Sequence, residues 1–247
     1  MRRLLRAELV KLATTRTAIG LTAGGAGVAA LGAFSTIMSG QPTELARPLH
    51  EQTFFLLASI NLALFAVVLG IRGFTDEFRH GVIVPTLLVA PSRVRVVAAK
   101  TLVVAAAGAA LAAVAQVVML AVAIVLLQAR GVEPTLEPAD LTAMGGLIAA
   151  SALWTMIGVA VGAMVRHQVA AVVGALLWVL LVENLGAGAL GEASRYLPGQ
   201  AGHGLASASQ AGTLLAPAAG ALILGAYALL AVAVAAIRLT RTDITAA

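Results

Sequence analysis

The chain has 247 residues, of which 60% are hydrophobic and only 11% charged, with a net charge of +5. Soluble domains carry about 25% charged residues, so a water-soluble globule is excluded: there is too little polar surface to clothe one. The absence of cysteine excludes a disulfide framework and a Cys-ligated metal site. The excess of positive charge does not point to nucleic acid, because the basic residues sit at the ends of apolar runs, where membrane proteins meet anionic headgroups.

In chain order, residues 1–16 come first. Leu4, Leu5, Leu9 and Leu12 recur near helical spacing among Arg2, Arg3, Arg6 and Lys11. The pattern predicts a basic amphipathic helix lying on the membrane surface, with those four cations on lipid headgroups. The apolar run that follows, about 17–38, exceeds the roughly 7–15 residues of a signal-peptide core and is read as a first span rather than a cleaved leader.

Further apolar runs cover about 54–71, 101–128, 141–165, 169–185 and 213–237. Crossing about 30 Å of hydrocarbon takes roughly 20 helical residues, so six spans are expected. Glu183, near the end of the fifth, reads as an interfacial acid. The runs are apolar on every face and lack the alternation of barrel strands. Their backbone groups must therefore be satisfied within helices. The expected fold is an all-α integral membrane protein forming one domain.

The basic residues set the expected orientation. Thirteen fall on one side of the six spans, and only Arg47, Arg130 and Arg195 on the other. The positive-inside rule then puts both termini and the 72–100 loop in the cytoplasm. The 186–212 loop lies outside; it is Gly-rich and nearly uncharged, and is expected to dip partly into the membrane. Gly20 with Gly24, and Gly158 with Gly162, have the spacing of close helix contacts. In a chain with 25 glycines, chance accounts for such pairs.

The 72–100 loop is the most informative stretch. Thr75 is positioned to cap a short new helix, with Asp76 and Glu77 in its first turn and Gly81 ending it. A second helix start is expected at Ser92, after Pro91, leading through Arg93 and Arg95 to Lys100 and the third span. Arg93 and Arg95 are expected at the membrane surface. A membrane-adjacent helix with acids, a base and a Phe suits either a docked cytoplasmic protein or a solvated hairpin.

This loop resembles the coupling-helix region of ABC-2 type transporter permeases. Their pattern of an acid, a bulky residue, Arg, a variable residue and Gly falls on Glu77, Phe78, Arg79, His80 and Gly81. Their later Pro, Ser or Thr, and Arg fall on Pro91, Ser92 and Arg93, with Lys100 opening the third span. The usual Thr after the glycine is Val82 here. Leu5 to Leu12 is similar to the family's N-terminal elbow helix, and Arg195-Tyr196-Leu197-Pro198 to its last outer loop. The resemblance implies a permease dimer; the Ala-, Gly- and Val-rich composition, with arginine in place of lysine, points to a bacterial cytoplasmic membrane. The resemblance also implies a partner ATPase, itself holding ATP and magnesium, that contacts Asp76, Glu77, Phe78, Arg79, His80 and Gly81.

No phosphate-gripping Gly-Lys-Ser/Thr turn, nucleophile elbow or zinc-protease helix occurs in the sequence. No enzyme activity and no cofactor in this chain are therefore expected. The alternative reading is an ATP-independent carrier or a structural subunit of a membrane complex.

Overall fold

The computed structural model of the protein describes residues 2–13, 15–41, 45–51, 53–79, 81, 92–206 and 214–241. His80, Pro91 and the intervening 82–90 stretch lie outside them, as does 207–213 of the last loop. Among the described residues the chain is all helix, without a strand. The elements are α1 (Arg2–Ala13), α2 (Arg16–Ser39), α3 (Thr53–Arg79), α4 (Arg93–Ala129) and α5 (Pro138–Val165). Then come α6 (Gln168–Leu177), α7 (Glu183–Ala189), α8 (Pro198–Ala206) and α9 (Pro217–Arg241).

Among the described residues, six stretches are long and apolar enough to cross a membrane: α2, α3, α4, α5, the rod from Gln168 to Gly186, and α9. Their outward faces are apolar as well; Leu222 is 75% exposed, with Leu31, Val117 and Leu230 close behind. A periphery of exposed leucine and valine is what a lipid solvent permits and water does not.

The spans are longer than the uncharged runs. α3 does not stop at Ile71 but continues without a break to Arg79. Thr75 is therefore not an N-cap: it lies inside the helix, and its hydroxyl donates to the Ile71 carbonyl at 3.0 Å. The helix carries on because its charges are paired, Arg72 with Asp76 one turn later at 3.4 Å and Glu77 with lysines from other helices. Gly81 does end it, with a positive φ of 66° and its N–H donating to the Phe78 carbonyl. Ser92 is the residue at which α4 begins, in extended conformation. At 37 residues α4 is about 55 Å long, well beyond the hydrocarbon thickness, so its basic first turns project past the apolar part.

α5 is the central helix, packing on α3, α4, α6, α8 and α9. Its contact with α3 is backbone to backbone. A Cβ on Gly158 would strike the Val67 carbonyl, one on Gly162 that of Ile71, and one on Gly70 that of Thr155. The Gly158 and Gly162 pair is thus a true crossing point, whereas Gly20 has open space around it and Gly24 meets only the Phe65 ring. Arginines close two helix ends: Arg93 donates to Leu239 in the last turn of α9, and Arg130 to Ile37 and Met38 in the last turn of α2. Cations there meet the negative end of the helix dipole.

Candidate functional site

Two polar clusters interrupt the apolar bundle, one at each end of α3. Ser59 belongs to one and Glu77 to the other. Eighteen residues of helix separate them by about 27 Å, most of a bilayer.

The first cluster joins α1, α3 and α4. The Lys100 ammonium lies 2.6 Å from Glu8 Oε2 and 3.0 Å from Glu77 Oε1, and is almost fully buried. Lys11 lies 2.9 Å from Glu8 Oε1 and 2.7 Å from Glu77 Oε1. Two acids and two bases thus neutralise one another across three helices. Burial alone would push the Glu8 carboxyl up, but Lys100 and Lys11 outweigh it and hold it below the ordinary carboxylate range. For Lys11, burial pulls downward, and Glu77 and Glu8 together hold it above the ordinary lysine range. The Phe74 ring lies 5.8 Å from the Lys100 ammonium and stacks at 5.6 Å on Phe78, which in turn carries the Arg166 guanidinium at 5.5 Å. A cavity of about 370 Å³ opens beside the cluster, lined by Glu8, Lys11, Arg72 and Glu77 with Leu21 and Leu69.

The sequence assigned Asp76 to Gly81 to one docking surface. The structure divides these residues. Glu77 is buried and turned inward to the lysines, Asp76 pairs with Arg72, and Phe78 is half buried against Phe74. Arg79 and Gly81 are exposed. Lys11, expected on lipid headgroups, is instead drawn into the ion cluster; Arg6 and Arg95 remain exposed. The part Glu8 plays was not read from the sequence. Its available signal was composition: Lys11 and Lys100 are the only lysines in a chain otherwise basic through arginine.

The second cluster forms where α6 runs into α7. The backbone stays helical but widens to a π-helical stretch over Trp178–Val182. This brings the Glu183 N–H onto the Trp178 carbonyl, and Trp178 Nε1 within 3.1 Å of Glu183 Oε1. Such widened turns occur frequently at functional sites. The same carboxylate oxygen accepts the Gly199 N–H at 2.8 Å, at the start of α8, and the Gln200 amide adds to its field. Glu183 is therefore not an interfacial acid in water: it is 5% exposed. Its Oε2 is buried with no hydrogen-bond partner among the described residues.

α8 is wedged among α3, α5 and α9, and nearly all of it is buried. Glycines on the neighbouring helices allow this, since a Cβ on Gly146 of α5 would strike the Leu205 carbonyl and one on Gly220 of α9 that of Ala201. On α8, His203 Nδ1 lies 2.7 Å from the Ser59 hydroxyl, and burial pushes its imidazole down to about 4, so it is neutral at physiological pH. Glu183, Asn184, His203, Ser59 and Ser151 line a small chamber of about 50 Å³, room for a few waters.

The fold and these clusters define an all-helical chain with six membrane-spanning candidates and ionisable groups buried at both ends. No protein-family model matches the chain, and no curated protein is similar to it.

Proposed function

We propose that the chain is the membrane-spanning permease subunit of an ATP-driven transporter of the ABC-2 type, acting as an exporter in the bacterial cytoplasmic membrane. Two copies, or this chain and a homologue, form the pathway. A separate ATPase subunit docks at the α1 end of the bundle; the excess of arginine and lysine at that end supports a cytoplasmic location for it. The observation that carries the reading is the four-charge cluster, buried except for the half-exposed Lys11. It binds α1, the last turns of α3 and the first turns of α4 into one unit, and leaves Arg79 and Gly81 exposed beside it. Force applied at that surface is delivered to two spans together, which is what coupling an ATPase to a pathway requires.

The test separates docking from folding. Arg79→Glu changes an exposed charge and leaves the cluster intact; Glu77→Ala breaks the cluster itself. Tagged chain purified from its own cells in mild detergent is expected to retain a P-loop ATPase, and Arg79→Glu to lose it while eluting as the unmodified protein does. Retention of the ATPase by Arg79→Glu, or the absence of any ATPase with the unmodified chain, overturns the assignment.

One observation favours the alternative of an ATP-independent carrier: Glu183 is an ionisable group buried within the fifth span, where coupled transporters keep such groups. Transport that survives ATP depletion but stops with a protonophore selects that reading.

A further inference from the structure

Beside the Glu183 chamber an apolar groove of about 400 Å³ runs between α5, α6 and α9. Both tryptophans of the chain, Trp154 and Trp178, line it, together with Tyr227, Val161, Ala175 and Pro198. Its mouth is open, since Trp178 and Tyr227 are each more than 40% exposed on the periphery. Groove and chamber share Trp154 and Val179 as a common wall. The volume lies in the range of small-molecule sites, roughly 300–1,000 Å³.

The electrostatics favour one sign of occupant. α8 aims its N-terminal amides at Glu183, and a helix N-terminus carries about half a positive charge, which offsets part of the cost that burial imposes on the ionised carboxylate. The rest of the negative charge is unmatched. No cationic side chain pairs with Glu183 among the described residues, and His203, the nearest basic group lining the chamber, is neutral. Oε2 and the buried Ser151 hydroxyl have no hydrogen-bond partner there. Indole and phenol rings attract cations to their faces, the more so when water is excluded.

We propose that groove and chamber together form a binding site for a hydrophobic organic cation. The hydrocarbon body lies between Trp154, Trp178 and Tyr227, and the positive centre turns toward Glu183 Oε2. Trp178 serves both halves, lining the groove with its ring and holding Oε1 with its N–H. The site stands independently of the ATPase reading; if that reading holds, this is where substrate is selected.

The experiment compares two ions of nearly one shape and opposite charge, tetraphenylphosphonium and tetraphenylborate. The full chain is held in nanodiscs of zwitterionic lipid, with empty discs subtracted. Binding is read by retained radiolabel and by the change in tryptophan fluorescence, which in this chain comes from Trp154 and Trp178 alone. The unmodified chain is expected to bind the phosphonium saturably and at least tenfold more tightly than the borate. Glu183→Gln keeps an acceptor for Gly199 and Trp178, and is expected to abolish that preference. Ala175→Trp fills the groove and is expected to remove binding of both. Equal binding of the two ions by the unmodified chain overturns the proposal without recourse to any variant. Undiminished phosphonium binding by Glu183→Gln does so too, marking Glu183 as a protonated or purely structural cap. No ATP or partner is present, so this test and the ATPase retention test fail separately.

Discussion

Trp178 and Glu183 are joined twice, once through the backbone, N–H of 183 to carbonyl of 178, and once through the side chains, indole N–H to carboxylate at 3.1 Å. Residues five apart do not meet this way in an α-helix, where the i to i+4 pair is the close one. The widened turn is what aims the carboxylate at the start of α8 and so ties the fifth span to that wedge.

Glu183→Ala and Glu183→Gln should therefore differ. Alanine strands the buried Gly199 N–H and the Trp178 N–H, and an unmet buried donor costs about 1–3 kcal/mol. Glutamine still accepts both through its carbonyl. Thermal unfolding in nanodiscs is expected to show a clear drop for alanine and a small one for glutamine. Equal drops would mean that charge, not hydrogen bonding, holds α8 in place.

The four-charge cluster makes a sharper energetic case. Lys100→Ala leaves Glu8 and Glu77 facing each other with only the half-exposed Lys11 between them. Removing one partner of a buried ion network typically destabilises by about 3–5 kcal/mol. Replacing a buried pair together with apolar residues of similar size is far milder. Lys100→Met with Glu8→Leu should thus be more stable than Lys100→Met alone, measured as a double-mutant cycle on the unfolding midpoint. Additive losses would show that Glu8 and Lys100 do not interact.

The sequence was most legible where it was most monotonous. Six apolar runs give six helices long enough to cross a membrane, because backbone flanked by apolar residues on every face, with no barrel-strand alternation, is satisfied in lipid as helix. The helix ends are not set by charge: Arg72, Asp76 and Glu77 continue α3 past the uncharged run, since each finds a partner of opposite sign. Which partners meet is not a local property. Glu8 and Lys100 are 92 residues apart, Lys11 and Glu77 66 apart, and no period or spacing announces such pairs. The glycines make the same point. Two identical four-residue spacings occur, but only Gly158 and Gly162 face a helix that offers its own glycine, Gly70, at the crossing.

That crossing yields a steric prediction. Gly158→Val puts a branched side chain where the Val67 carbonyl already stands, so α3 and α5 must separate. Gly20→Val has open space. The first is expected to abolish a monodisperse elution profile in mild detergent and the second to leave it unchanged. A well-behaved Gly158→Val protein would mean that the helices do not cross at this point.

The pH dependence of stability follows from α1. Glu8 is held below the ordinary carboxylate range by Lys100 and Lys11 against the pull of burial. Its contribution is complete above the unfolded value of about 4.3 and is lost as pH falls through the lower folded value. Lys11 is held above its ordinary value by Glu77 and Glu8. Its contribution is complete below about 10.4 and is lost as pH rises through the higher folded value. These two groups alone leave the unfolding midpoint level between those limits, but His203, held down to about 4 by burial, already lowers it as pH falls below about 6.5, where the unfolded chain takes up a proton that the folded one does not. Glu8→Gln should lower the plateau and blunt the acid limb; an unchanged acid limb would assign it to other carboxylates.

The orientation can be tested most cleanly because the chain has no cysteine of its own. A single cysteine at Gly81, which is exposed and beyond the last turn of α3, marks the α1 end of the bundle. One at Glu133, exposed in the connection between α4 and α5, marks the opposite end. The positive-inside rule predicts the first in the cytoplasm and the second outside. A membrane-impermeant maleimide applied to intact cells, with the outer membrane permeabilised if there is one, is expected to label position 133 at once and position 81 only after lysis. The reverse pattern would put the four-charge cluster and Arg79 out of reach of any cytoplasmic ATPase. It would also turn the Glu183 groove toward the cytoplasm, so a hydrophobic cation bound there would be collected from the inner leaflet rather than released to the outer one.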